Sequence, residues 1–242
     1  LTKKKEVEKI KLGGWVDAQY RFEADNSGEE SCVFQIRRAR MDLKGDLSSR
    51  TSFRLQADFA QSPKLIDAFM IINVCKQVRI QAGQFKIPFS LENKLSPLEL
   101  ELTENAQAIG ALSGYKDVTG INQYANGRDI GVMIEGTLGE YETTSSEEKM
   151  PILRYAAGIF GGNGINVKSD NLAKDVSARI EFSPFVRHFF LSASGYWGKY
   201  DMEEAGVSTH TDGDRIRYAC GMQYADNHWT LRGEYLWGKT DF

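Results

Sequence analysis

The sequence has no run of about 18 consecutive apolar residues, the shortest length that crosses a bilayer as a helix. Helical membrane spans are excluded, so any passage through a membrane must be made by strands, whose signal is diluted by alternation. A negative mean hydropathy is therefore compatible with a membrane protein. Cysteine is scarce, and Cys32, Cys75 and Cys220 stand far apart without the paired spacing of a zinc site or redox motif. They do not fix a compartment. His188, His210 and His228 are too scattered to assemble a metal set. Charge of one sign is also missing, with 30 basic residues against 33 acidic for a net -3. No basic cluster is interleaved with aromatics, so nucleic acid is not an expected partner. The start lacks an apolar segment: Lys3-Lys4-Lys5-Glu6-Val7-Glu8-Lys9 is a charged run that reads as a polar tail of a mature chain, not as a signal peptide.

What is present is alternation. Ile10, Leu12, Gly14, Val16, Ala18, Tyr20 and Phe22 fall on one face of a strand, with Lys9, Lys11, Trp15, Asp17, Gln19 and Arg21 on the other. The same two-faced pattern recurs in Thr51 to Ala60 and in Arg128 to Leu138, each time with a charged polar face. It predicts eleven strands, near 9–22, 33–44, 51–60, 66–74, 78–86, 128–138, 152–161, 175–183, 188–198, 214–224 and 229–239. Most have the roughly ten residues that a tilted strand needs to cross a bilayer. Short connections alternate with long ones, the arrangement of periplasmic turns and outer loops in a membrane barrel. Two connections break the pattern, a short Gln61 to Leu65 and a long Gly139 to Met150.

A soluble antiparallel barrel or sandwich would alternate too. Aromatics on the apolar face, including Tyr20, Phe22, Phe59, Trp197, Trp229, Tyr235 and Trp237, gather toward strand ends as interfacial girdles do. The other face carries a Lys or Arg in nearly every strand, and a small barrel would have to bury them at several kilocalories per mole each. A wide wet interior avoids that cost. The fold class expected from the pattern is all-β, an antiparallel transmembrane β-barrel.

Four stretches resemble the porin O/P family, which includes phosphate- and polyphosphate-selective porins. They are Phe34-Gln35-Ile36-Arg37-Arg38-Ala39-Arg40-Met41, Gly83-Gln84-Phe85-Lys86-Ile87-Pro88-Phe89-Ser90, Gly127-Arg128-Asp129-Ile130-Gly131-Val132 and Tyr155-Ala156-Ala157-Gly158-Ile159-Phe160-Gly161-Gly162. The resemblance implies a sixteen-stranded barrel in a Gram-negative outer membrane, commonly a homotrimer, with the third outer loop folded inward. Residues 1–8 would then be a periplasmic tail and 9–242 a barrel domain with about eleven of its strands, incomplete at the C-terminus, with 87–127 as the inward-folding loop. Phe242 reads as the start of a loop, and a divergent barrel closing at twelve strands is the alternative to an incomplete one.

Parity places Lys9, Lys11, Arg21, Arg38, Arg40, Lys44, Arg54, Arg79, Arg154, Arg179, Arg215, Arg217 and Arg232 on the interior face. Asp17, Asp42, Asp58, Asp67, Asp129, Glu135, Glu181 and Glu234 share it, which leaves an excess of five positive charges. Such an excess concentrates anions in a confined channel, and guanidinium groups replace the hydration of phosphate or carboxylate bidentately. Arg38, Arg40, Arg54, Arg79, Arg154, Arg179, Arg215, Arg217 and Arg232 are thus candidate pore-lining, anion-binding residues; equally, they could pair with wall carboxylates and stiffen the interior. The 87–127 loop is the candidate constriction, with Lys94, Glu99, Glu101, Glu104 and Lys116 as its charged groups and a short helix expected from Ser96, with Pro97 in its first turn. Its acidic excess departs from the strongly basic inward loop associated with phosphate selectivity in the family, which counts against tight phosphate specificity.

The expected function is passive diffusion of small hydrophilic, anionic, phosphate-like solutes through a pore contacting outer-membrane lipid, with no cofactor and no turnover. A surface binding or assembly barrel with a plugged pore is the rival. A barrel hydrolase built on His210, Asp212 and Asp214 in an outer loop comes third, since no nucleophile or oxyanion donors accompany them.

Overall fold

The computed structural model describes residues 10–24, 30–60, 62–113, 127–143, 146–168, 174–184, 188–203 and 210–240. The tail, Lys9, Lys116 and Phe242 lie outside them, so the expectations placed there have no structural counterpart. Among the described residues eleven strands form one antiparallel sheet in chain order. They are β1 (Lys11–Ala24), β2 (Glu30–Asp46), β3 (Thr51–Asp58), β4 (Lys64–Cys75), β5 (Val78–Lys86), β6 (Arg128–Thr143), β7 (Ser146–Phe160), β8 (Asp175–Phe182), β9 (Phe189–Glu203), β10 (His210–Ala225) and β11 (Thr230–Thr240).

The burial pattern is inverted relative to a soluble protein. Arg40, Asp58, Asp67, Arg128, Arg179, Arg215 and Arg217 are buried, whereas Val16, Phe34, Val132, Ile159, Leu231 and Trp229 are exposed. Charged groups are almost never buried unless paired, and so large an exposed apolar surface would not be left to water. The chain has an all-β transmembrane barrel fold with its apolar face turned outward.

The sheet is rolled. Arg37 on β2 pairs with Glu104, and Arg232 on β11 pairs with Glu101 at 2.7 Å. Nine inter-strand steps of about 4.8 Å would hold β2 and β11 about 43 Å apart in a flat sheet. The three-residue step from Glu101 to Glu104 spans at most about 11 Å. Only a sheet curled around the β5–β6 connection brings both arginines within reach.

That connection carries α1 (Leu91–Lys94) and α2 (Gln107–Leu112). Ile87 and Phe89 anchor it in a small apolar cluster with Phe85, Met133, Phe160 and Tyr196. The helix expected from Ser96 is not formed. Ser96 and Glu99 close a single turn, the Ser96 N–H donating to Glu99 at 2.7 Å and the Glu99 N–H to the Ser96 carbonyl at 2.9 Å. It stops there because Glu101 and Glu104 are drawn to arginines on separate walls. The helical turn forms earlier, where Ser90 accepts from the Asn93 N–H.

Two other expectations are corrected. Gly139 to Met150 is no long connection, since β6 and β7 stay paired as far as Thr143 and Ser146. His210 is paired with Glu203 at the start of β10 and is not in a loop; its side chain and that of Asp212 lie outside the described residues. Strict period two also fails where β1 and β2 shift register, Asp17 facing Arg38 and Ala18 facing Ile36. This bulge turns Arg37 and Arg38 to the same face. Gly83 in β5 has φ +129°, and a Cβ there would lie 2.2 Å from the Ala68 carbonyl oxygen. Only glycine fits so close a backbone approach.

Candidate functional site

The interior arginines fall into two groups. On β1 to β4 they are matched with carboxylates: Arg38 with Asp17 at 2.9 Å, Arg40 with Asp58 at 3.2 Å and Arg54 with Asp42 at 2.8 Å. Asp67 bridges Arg128 at 2.6 Å and Arg54 at 3.4 Å. Arg215, fully buried, is held by Asp175 at 2.9 Å. Arg217 donates to the Leu112 carbonyl and lies 5.2 Å over the Tyr196 ring. Arg232 is held by Glu101 and by Gln223 at 2.9 Å. These groups hold one another, as a buried charge must to offset its lost hydration.

The second group surrounds a cavity of about 270 Å³ at the short-turn end, beside the β4–β5 turn. Lys76, Arg79, Lys94, Arg154 and Arg179 line it, against only Glu135 and Glu181. Arg79 pairs with Glu135 at 2.8 Å. Glu181 is shared among Arg179 at 2.5 Å, Arg154 at 3.6 Å and Lys94 at 4.0 Å. One carboxylate cannot neutralise three cations. The side chains of Arg79, Lys94 and Arg154 also stay 52%, 43% and 40% exposed, so their free donors face the cavity.

Lys94 belongs to the inserted loop and reaches this cluster because α1 is clamped at both ends. At its start, Glu234 of β11 accepts from the Leu91 N–H at 2.7 Å and the Ser90 hydroxyl at 2.9 Å. Ser90 is held at φ +67°, a conformation that costs about 1–3 kcal/mol and persists only when its surroundings fix it. Ser194 accepts its N–H at 3.0 Å and Arg179 donates to its carbonyl at 2.8 Å. At the other end, Lys86 donates to the Asn93 carbonyl at 2.7 Å and to that of Leu95. The Asn93 side chain, buried beneath, donates to the Ile87 and Gly127 carbonyls. The Phe-Lys-Ile-Pro-Phe-Ser stretch therefore serves to hold α1.

Changing Glu234 to Ala removes the acceptor for these donors. Open-channel current noise should rise several-fold with strand content by circular dichroism unchanged; noise equal to wild type would show that α1 is held by other contacts.

The acidic residues of the loop are engaged in tethering. Glu101 and Glu104 bind Arg232 and Arg37, Glu99 closes the Ser96 turn, and Glu92 accepts the Ala106 N–H at 2.8 Å. Burial holds the Glu92 carboxyl above its ordinary value, with the Ala106 N–H pulling the other way. Burial also holds the Lys94 ammonium below its ordinary value, assisted by the Arg179 guanidinium and opposed by Glu181 and Glu135. The sequence reading missed Arg37, hidden by the bulge, and Lys76, which sits in a turn outside the strand pattern. It also missed Arg128 and Asp175, at strand ends where face is hardest to read. No signal short of the fold pointed to Glu234 as the clamp on α1.

Over residues 9–242 the sequence matches the family model described as phosphate-selective porin O and P. A comparison with curated proteins finds no match. Among solved structures, the anion-selective porin from Comamonas acidovorans is 12% identical, the match covering 96% of this chain and 79% of that one with a TM-score of 0.49. Outer-membrane expressed OmpT of Vibrio cholerae is 11% identical over 97% of this chain and 90% of that one, with a TM-score of 0.30.

Proposed function

The chain belongs to the phosphate-selective porin O and P family, and on that premise we propose that this outer-membrane porin selects small anions at the cluster of Lys76, Arg79, Lys94, Arg154 and Arg179. The observation that carries the reading is Glu181 shared among three cations, two of them substantially exposed. An anion entering the cavity supplies the missing negative charge, and the guanidinium donors of Arg79 and Arg154 take the place of its lost water. The paired arginines of β1 to β4 have the separate role of stiffening the wall. Residues 87–127 form the constriction, with Lys94 as the only Lys or Arg between Ile87 and Ser113.

On this reading the chain is a passive channel with no catalytic group and no cofactor, and it works as a homotrimer surrounded by outer-membrane lipid. The solutes are phosphate-like small anions, passed with a preference and without tight retention, because Glu135 and Glu181 compete for the same donors. A planar bilayer holding the full-length protein under a potassium chloride gradient tests the proposal. The expected reversal potential has the sign of chloride selectivity, and millimolar phosphate added on the short-turn side reduces chloride current. A potential of cation sign would overturn the reading.

A further inference from the structure

The wall formed by β1 to β4 holds a second cavity, of about 320 Å³. That volume is at the lower end of small-molecule sites, about 300–1,000 Å³. Lys11, Lys44, Arg54 and Phe69 stand opposite one another in a single row across the four strands. Directly opposed residues share a face, and Arg54, bound to Asp42 and Asp67, marks that face as the interior one. Ile71, two residues beyond Phe69 on β4 and opposite Ser52, is on the same face. The Phe69 ring is fixed edge-on against Phe85 at 5.9 Å. Both Phe69 and Ile71 are only half-buried, so an apolar strip is open to the lumen.

Cations border the strip. The Lys44 side chain stays 53% exposed and shares the Asp42 carboxylate with Arg54, each at 2.8 Å. Lys11 beside it is exposed too, and Asp46 is the one carboxylate among the described residues that line the cavity. Asn73, the next residue on the same face of β4, lines the first cavity, so the strip adjoins the cluster of exposed arginines. We propose that the second cavity binds organic anions that join a charged headgroup to an apolar body, such as an aryl phosphate, with the headgroup at Lys11 and Lys44 and the body along Phe69 and Ile71. The inference rests on the anion-selective reading above and names a class of solute within it. A bare inorganic anion gains nothing from the strip, and a neutral hydrocarbon nothing from the lysines.

Phenyl phosphate and methyl phosphate test this, since they share the headgroup and differ in the apolar body. Each is added to the full-length protein in a planar bilayer, and the concentration that halves the chloride current is read. Phenyl phosphate should need about tenfold less than methyl phosphate, because its ring leaves water for the strip. Ile71→Asn should abolish that advantage while leaving the methyl phosphate value and the conductance steps as they are. Ile71→Ala, which should shrink the advantage, serves if the asparagine variant forms no channels. Lys44→Gln should weaken both esters severalfold and to the same extent. Equal potency of the two esters in the wild type, an advantage that survives the Ile71 changes, or a Lys44→Gln channel blocked as well as wild type would each overturn the proposal while leaving the anion-selective reading in place. Failure of both esters to reduce the current would overturn the two together.

Discussion

Replacing Arg79, Lys94 and Arg154 together by glutamine is expected to lower the chloride-to-potassium permeability ratio about fivefold or more, with the reversal potential moving toward zero or past it. The cavity they line carries five basic residues and two acidic ones, so the triple change turns an excess of three positive charges into none. A unit charge at about 4 Å is worth about 1 kcal/mol even in bulk water, close to a fivefold change in local anion concentration. A confined channel with low-dielectric walls focuses the field further. The single change Lys94→Gln should produce a clear part of the shift, because Lys94, on the clamped helix, lines the same cavity as the exposed arginines. Its ammonium, held below its ordinary value by burial, gives up its proton earlier on an alkaline titration than a free lysine would. Anion preference should therefore fall as pH rises through that range, and Lys94→Gln should flatten the profile. A ratio unaffected by the triple change would mean that the wall carboxylates neutralise the cluster completely.

Asp67→Asn should destabilise the barrel by about 3 to 5 kcal/mol, measured as a drop in the urea midpoint for unfolding. Asp67 and Arg128 are both buried, and Arg54 shares the same carboxylate. Removing one member of a buried ion pair leaves the partner's charge without compensation, and that residual charge causes most of the loss. The double variant Asp67→Asn with Arg128→Met should regain much of the stability, since it also removes the guanidinium that has lost its Asp67 carboxylate. A single change costing less than about 1 kcal/mol would show that water reaches Arg128 and that the pair is a solvated one.

These expectations reverse part of the sequence reading. Parity set a basic wall beside a loop with an acidic excess. The fold joins them: Glu101 and Glu104 meet Arg232 and Arg37, and the one basic residue between Ile87 and Ser113 joins the exposed arginines. Charge was legible in the sequence, but partnership was not, because the partners lie 131 positions apart in Glu101 and Arg232. The strands were legible because one face is exposed and apolar and the other turns to a polar interior, which enforces period two along almost every segment. The period broke at bulges such as Arg37–Arg38, where one extra residue flips the face. The short helix was misplaced because Ser96, Pro97 and Glu99 carry the local signals of a helix start. Ser90 won through Glu234, Ser194 and Arg179, residues from three strands far along the chain.

The tether between β2 and β11 has a mechanical meaning as well as a chemical one. A curled sheet of hydrogen-bonded strands changes its curvature easily, since small changes in tilt at each ladder add up from strand to strand. A chord fastened at two points of that curve resists its opening, for the two anchoring strands cannot move apart without stretching the chord. The four residues from Glu101 to Glu104 are such a chord, fastened to Arg232 and Arg37. The distance between β2 and β11 should therefore change little under applied voltage, and current through the channel should grow in simple proportion to the driving force.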